Sequence, residues 1–393
     1  MASARFLHAA DLHLGAPLQS LGGLLSPAAH DRIVSLSRTS FDRLVEVALQ
    51  QQVEFVVFAG DVFDSSERDP SAQRRVILGL RKLTEAGIRV FIAHGNHDPL
   101  LAQWKGRSEL PSGVEVFPVG EVASHRVGLS NGVEVQVAGV SYGATAESNN
   151  LVPLFSGLSG GPVVGVLHTN VGGIGAHGNY APCSEADLVA APVNYWALGH
   201  IHDRQVHATP KGFWAYPGNL QGRSTKATEC GPKGVLVVDI DGGGGLAEPQ
   251  FHECDVVRFL RLDVDMSSAE DDQQARDLVM RAVEHQADAQ PNHALLLRVE
   301  LVGASSAAAT ILKGFDSLRN DVVLEASRLL GDGAVIKMRN SCRPAIDVVA
   351  ERKRETLLGS VLNRMDSDSR EQLTPEVRTR VEALLVERLA VGS

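Results

Sequence analysis

Cysteine is scarce in this chain: four among 393 residues, at Cys183, Cys230, Cys254 and Cys342, with no Cys-x-x-Cys spacing. That scarcity argues against a thiolate zinc site or a disulfide framework, and buried or free thiols in a reducing cytosol are the expected state. Aromatic residues make up only 5% of the sequence, so no extended platform for stacking single-stranded bases is evident. Basic residues are outnumbered, 37 against 47 acidic, and a net charge of −10 argues against a global basic field that would hold nucleic acid. A local basic surface stays open. No apolar run approaches the roughly 18 residues of a membrane span. Met1-Ala2-Ser3-Ala4-Arg5 leads into a strand-like run without a signal-peptide core, so a cytoplasmic protein without membrane attachment is expected.

What is present is a folded chain of ordinary composition, 44% hydrophobic and 21% charged, long enough for two or three domains. Five separated fragments carry metal-ligand side chains: Asp11-Leu12-His13, Gly60-Asp61, Gly95-Asn96-His97-Asp98, His168, and Gly199-His200-Ile201-His202. Each follows an apolar run, from Arg5-Phe6-Leu7 through Phe55–Phe58, Val90–Ile92 and Val163–Leu167 to Tyr195–Leu198. Short apolar runs between helical stretches read as buried strands of an α/β sheet, and such sheets put their sites at strand carboxyl ends. Strand alternation would let Asp11 and His13 address one ion from the same side, and it allows the same of His200 and His202.

The organisation follows from periodicity. Phe41, Leu44, Val45, Ala48 and Leu49 mark a helix over Ser40–Gln51, and Val76, Leu80 and Leu83 a second one that stops near Gly87. Asn131-Gly132 predicts a hairpin turn, and Gly242 to Gly245 a flexible turn, since no Lys-Ser/Thr follows to make a phosphate cradle. From Val256 the texture becomes that of a small α+β domain, with strands over Phe259–Val264 and Ala294–Leu301 around a helix from Ser268 to about Gln286. The tail reads as two amphipathic helices, the second starting at Thr374-Pro375, which suit docking on a partner or folding back on their own domain. The expected domains are 1–255, 256–340 as a cap, and 341–393 as a helical tail.

Asp, His and Asn donors without thiolates suit hard or borderline divalent ions, with manganese or iron favoured over structural zinc. Asp61 is the natural bridging carboxylate. Asp11, His13, Asp61 and His202 are assigned to one ion, and Asp61, Asn96, His168 and His200 to the other. Two such ions about 3.5–4 Å apart lower the pKa of a bridging water and hold phosphoryl oxygens for in-line displacement, which makes phosphoester hydrolysis the expected chemistry. His97 is left free to protonate the leaving oxygen or stabilise charge, with Asp64 as its orienting partner and Asp98 as alternative support for the ligands.

The ordered set Asp-x-His, Gly-Asp, Gly-Asn-His-Asp, lone His and Gly-His-x-His resembles the calcineurin-like metallophosphoesterase superfamily. The resemblance implies a four-layer α/β/β/α sandwich with a binuclear centre. Leu7–Gly15 and Ala59–Asp64 resemble the SbcD-type DNA exonucleases. Leu167–Val171, Tyr180–Cys183, Tyr195–His202 and Tyr216–Asn219 with Gly222-Arg223 are similar to the YhaO branch of that family. The match is good to about residue 240 and poor beyond 256. Some relatives carry histidine where this chain has Asp64, whose aspartate instead resembles the His-orienting partner of the phosphoprotein phosphatases. The family implies manganese-dependent cleavage of DNA phosphodiesters, with iron, magnesium or zinc as other metals. It also implies an SbcC-like coiled-coil ATPase bound through the terminal helices, and DNA contacts from loops and the cap. A homodimer stays open. The alternatives are a phosphodiesterase or phosphatase for small molecules or phosphoproteins, and a non-catalytic adaptor for an ATPase.

Arg204, Lys211, Arg223, Lys226 and Lys233 follow the last fragment and are weighed evenly between phosphate contacts and scattered solvated charges. His8, His94, His125 and His207 are read as structural, His177 as part of a surface loop, and Tyr180, Trp196 and Tyr216 as packing.

Overall fold

The computed structural model describes residues 4–64, 69–101, 110–173, 180–346, 348–354 and 356. The chain divides into two compact units, one of residues 1–260 with 292–294, the other of residues 261–291 with those described from Leu295 onward. The boundary expected from sequence, after Asp255, falls a few residues earlier. His177 and the tail helices expected beyond Thr356 lie outside the described residues.

Among the described residues, twelve strands build the first unit. The first four are β1 (Ala4–Ala9), β2 (Phe55–Ala59), β3 (Arg89–Ala93) and β4 (Val114–Val116). Then come β5 (Ala123–Gly128), β6 (Glu134–Gly139), β7 (Val163–His168) and β8 (Tyr195–Gly199). The last are β9 (Gln205–Thr209), β10 (Gly212–Tyr216), β11 (Gly234–Ile240) and β12 (Gln250–Glu253). They form two six-stranded sheets, ordered β12-β11-β1-β2-β3-β4 and β5-β6-β7-β8-β10-β9. Strands β1 to β4 run parallel in the first sheet, and β6, β7, β8 and β10 in the second. Both expected turns are present, the Asn131-Gly132 turn joining β5 to β6 and the Gly242–Gly245 turn following β11.

Alternation explains why β2, Phe-Val-Val-Phe-Ala, is buried along its whole length. Val56 and Phe58 pack with residues of helices α1 (Ser40–Gln50) and α2 (Pro70–Glu85), whereas Phe55, Val57 and Ala59 pack against Val164, Val166, Tyr195 and Ala197 of the second sheet. A third apolar cluster joins the outer face of the second sheet to Leu188 on a short helix over Glu185–Ala190. Helix α2 starts where it does because the Asp69 carboxylate accepts from Ser71 N at 2.8 Å and Pro70 occupies the first turn.

The strands over Val257–Asp265, Ala294–Val302 and Ala334–Asn340, most of whose residues belong to the second unit, form a three-stranded sheet in that order. The unit's first helix starts at Asp272 rather than Ser268, because the Asp271 side chain accepts from Gln274 N at 2.7 Å and caps it there. A 22-residue helix over Ala308–Leu329, absent from the elements expected above, buries Ile311, Leu318, Val322 and Ala326. Among the described residues no helix is long and apolar enough to cross a membrane.

Candidate metal centre

The parallel strands β1, β2, β3, β7 and β8 end together, and the polar fragments sit on the loops that leave them. Strand alternation is not what aims Asp11 and His13, because β1 ends at Ala9. The loop after β1 instead continues to pair with the loop after β2: Asp11 N donates to Gly60 O at 3.1 Å, His13 N to Asp61 O at 2.9 Å and Leu14 N to Val62 O at 3.0 Å. Asp11, His13 and Asp61 adopt left-handed φ of 50°, 43° and 52°, and His200 lies at 106°, conformations that non-glycine residues rarely take away from functional sites. The glycines of the motifs make room. A Cβ on Gly60 would stand 2.2 Å from His168 Nδ1, and one on Gly95 2.3 Å from Asp61 Oδ1.

Three groups of donor atoms, each within 4.8 Å, result: Asp11 with His13 and His202, Asp11 with Asp61 and His168, and His13 with Asp61 and His97. Asp61 Oδ2 lies 3.8 Å from His13 Nε2 and 3.4 Å from His168 Nε2, so one carboxylate oxygen faces both halves. Asn96 Oδ1 is 3.0 Å from His168 Nε2. His200 is less intimate. It enters none of these groups; its backbone N–H donates to both Asp11 carboxylate oxygens, at 3.1 and 2.9 Å, and its ring stands edge-on to His168 and Tyr180.

The histidines are held from behind. His202 Nδ1 lies 2.8 Å from Glu229 Oε1, which assigns its proton there and turns the Nε2 lone pair towards His13 Nε2, 3.1 Å away. His168 Nδ1 donates to the Ala59 carbonyl at 2.9 Å. Glu229 is a residue that sequence reasoning missed. It sits in a one-turn helix, Ala-Thr-Glu, where nothing marks it, and its other oxygen accepts from Asn219 Nδ2 and Arg223 N. Asp98 braces backbone: its oxygens accept from Gly95 N, Val62 N and Phe63 N, tying the loops after β2 and β3 together.

The electrostatics suit a cation. Burial opposes ionisation of Asp61, but the charge and hydrogen bond of His168 outweigh it and hold the carboxyl well below its usual range. Burial likewise disfavours a charged His168, and Asp61 overrides it, raising the imidazole to about 9. The proton kept on His168 occupies ground that a divalent cation would claim. Burial, helped by the Arg223 charge, pushes His13 well below the ordinary histidine range and leaves it a neutral nitrogen donor. Burial works against Glu229 ionisation, yet His202 and Arg223 bring it down to about 2. The His13 and His202 nitrogens face each other beside two buried carboxylates, and nitrogen and oxygen donors without thiolates fit a pair of borderline divalent ions.

His97 stands at the open side, its side chain 36% exposed, with Nδ1 3.2 Å from Asp64 Oδ1. That hydrogen bond, against the effect of burial, raises its pKa. Its backbone N–H donates to Asp61 Oδ1 at 2.8 Å. The basic cluster read from sequence disperses. Lys211 caps the carbonyls of Val189, Ala190 and Ala191, Lys233 is buried on the carbonyls of His202 and Thr228, and the Arg204 guanidinium lies 3.8 Å over the Phe251 ring. Of the five, Arg223 and Lys226 face a cleft beside the centre. His8, buried between Tyr195 Oη and the Leu198 carbonyl, is structural, and His207 stacks on Trp214. Trp196 Nε1 and Tyr216 Oη donate to the buried carbonyls of Leu188 and Thr169.

Two opposed α/β sheets whose parallel strands deliver Asp, His and Asn to one clustered centre define a metallophosphoesterase-type domain. The chain belongs to the calcineurin-like phosphoesterase family, whose profile matches residues 4–204. A second profile, the middle domain of metallophosphoesterase YhaO, matches residues 259–343. The metallophosphoesterase YhaO of Bacillus subtilis is 35% identical over 240 residues, covering 61% of this chain and 58% of that one. The DNA double-strand break repair protein Mre11 of Aeropyrum pernix is 28% identical over 261 residues, covering 62% and 60%. The SbcD component of the SbcCD nuclease of Rhodobacter capsulatus is 35% identical over 97 residues, covering 24% and 22%. The chain thus spans less than two thirds of the length of these relatives.

Proposed function

We propose that this protein is a two-metal phosphodiesterase that cleaves DNA, the nuclease component of a DNA-repair assembly. The observation that carries the reading is the single Asp61 oxygen standing within 3.8 Å of His13 and 3.4 Å of His168, flanked by Asp11, Asn96 and His202. In this reading Asp11, His13, Asp61 and His202 hold one divalent ion, and Asp61, Asn96, His168 and His200 the other. Such a pair, manganese by preference, would supply Lewis acidity towards the phosphoryl oxygens and the attacking water. Asp61 serves both halves because its Oδ1 is fixed by the His97 N–H while Oδ2 is left towards the histidines. Glu229 and the Ala59 carbonyl fix the His202 and His168 rings, so the donors are set before substrate arrives. His97 turns Nδ1 to Asp64, which leaves Nε2 to deliver a proton to the leaving oxygen as the P–O bond breaks and the water oxygen bonds to phosphorus. Its raised pKa keeps that proton available near neutrality.

DNA as the substrate is supported by the likeness to proteins named for double-strand break repair and to a nuclease component. An SbcC-like coiled-coil ATPase is the partner this predicts, in the cytoplasm. Purified protein with manganese is expected to shorten end-labelled single- or double-stranded DNA, and Asp61→Asn and His97→Ala to lose that activity by about a hundredfold or more. Activity confined to cyclic nucleotides or other small diesters would sink the nuclease reading. Full activity in Asp61→Asn would overturn the bridging role.

A further inference from the structure

A cleft of about 310 Å³ opens beside the metal centre, walled by the Ala16–Ser20 loop on one side and Arg223, Ser224 and Lys226 on the other. None of the assigned ligands lines it, yet Asp64 and Glu229, the carboxylates behind His97 and His202, do. The Ser20 hydroxyl donates to the Arg223 carbonyl at 2.6 Å and ties the two walls together.

Arg223 is incompletely used within the chain. Its guanidinium stands 3.8 Å from Asp64 Oδ2 and 3.7 Å from Glu229 Oε1, beyond good hydrogen-bond length, its Nη2 lies 3.4 Å from His202 Nδ1, whose proton is turned to Glu229, and its buried Nε–H has no hydrogen-bond partner. The two carboxylates are engaged elsewhere, Asp64 with His97 and Glu229 with His202, Asn219 and the Arg223 backbone. Lys226 is exposed at the same cleft. A planar fork with spare donors beside a flexible ammonium is a recognisable phosphate-binding chemistry.

We propose that this cleft is a subsite for the phosphate next to the scissile one on a nucleic-acid strand, held by Arg223 and Lys226. The inference rests on the nuclease reading and sharpens it, since it makes the enzyme select a polynucleotide over an isolated diester. Arg223 suits the linking role because it touches the cleft and the carboxylates that orient His97 and His202, so a neighbouring phosphate bound there sets the scissile group against the centre.

The test compares bis(p-nitrophenyl) phosphate with dithymidine monophosphate and with the same dinucleotide carrying an added 5′- or 3′-terminal phosphate. The added phosphate, on one side, is expected to raise kcat/KM about tenfold or more, chiefly through KM. Lys226→Ala and Arg223→Lys are expected to remove most of that gain, and Lys226→Arg to keep it. Binding of the phosphorylated dinucleotides in EDTA, where no bond is broken, should follow the same order. Equal kcat/KM for all three dinucleotides, or a Lys226→Ala variant that retains the whole gain, overturns the subsite alone. Hydrolysis of bis(p-nitrophenyl) phosphate with none of the dinucleotides overturns the nuclease reading and the subsite with it.

Discussion

Glu229 carries no motif, yet it fixes His202, a proposed metal ligand, and its loss separates orientation from ligation. Glu229→Gln keeps the size and the acceptor but removes the charge opposite His202. Manganese affinity is expected to fall about 10–100-fold, read by calorimetric titration, with the far-ultraviolet spectrum unchanged. Unaltered affinity would mean that His202 is held by other means. His8 gives a residue-scale prediction for stability. Burial lowers its pKa from 6.5 to about 3, with the Leu198 carbonyl pulling the other way. Above the unfolded value of 6.5 both states are neutral and nothing is lost. As pH falls from 6.5 towards 3, the unfolded chain takes up a proton that the folded chain refuses, and stability drops by about 1.4 kcal/mol per pH unit from this group. His8→Gln should therefore lose less stability than the parent between about pH 7.5 and about pH 5 in urea unfolding. Parallel losses in the two proteins would refute it.

At the scale of elements, the loops after β1 and β2 behave as one piece, and the glycine between Ala59 and Asp61 is where they tolerate least. Gly60→Ala places a methyl 2.2 Å from His168 Nδ1 in a backbone of φ +94°. It is expected to cost more than about 2 kcal/mol, whereas Gly231→Ala, at φ +79° with nothing within 4 Å, should cost only the strain of about 1 kcal/mol. Thermal melts of the two variants check this, and equal shifts would deny the crowding at His168. These elements also show what could be read beforehand. Strands β1, β2, β3, β7 and β8 were legible because their apolar runs are buried on both faces, and five polar fragments at their ends gave the ligand candidates away. The way those side chains converge was not legible. It depends on left-handed turns beyond the strands, which strand periodicity does not encode, and on a backbone carbonyl and a carboxylate from a one-turn helix. The dispersal of the basic residues was equally hidden, because proximity in sequence after β8 says nothing of which lysine caps a helix and which is buried.

For the molecule as a whole, the net charge of −10 means that a polyanion is met by a repelling surface except near local cations. Binding of single-stranded DNA by this chain in EDTA should therefore be weak and only shallowly salt-dependent. A slope of log K against log salt of about −1 to −3 matches two to four phosphate contacts. Anisotropy titrations at several salt concentrations measure it, and a slope near about −7 would demand a broad basic face instead. A last consequence concerns time rather than charge. His13 and His202 meet across a sequence separation of 189 residues, and the loops between them supply all the remaining candidate donors except Asp11. Contacts so distant along the chain close late in folding, after local structure has formed. A nascent or truncated chain that ends before β8 therefore carries most of the ligand residues but no complete centre. On the proposed nuclease reading, cutting power would arrive only with the completed fold, which would spare the cell a partly made enzyme.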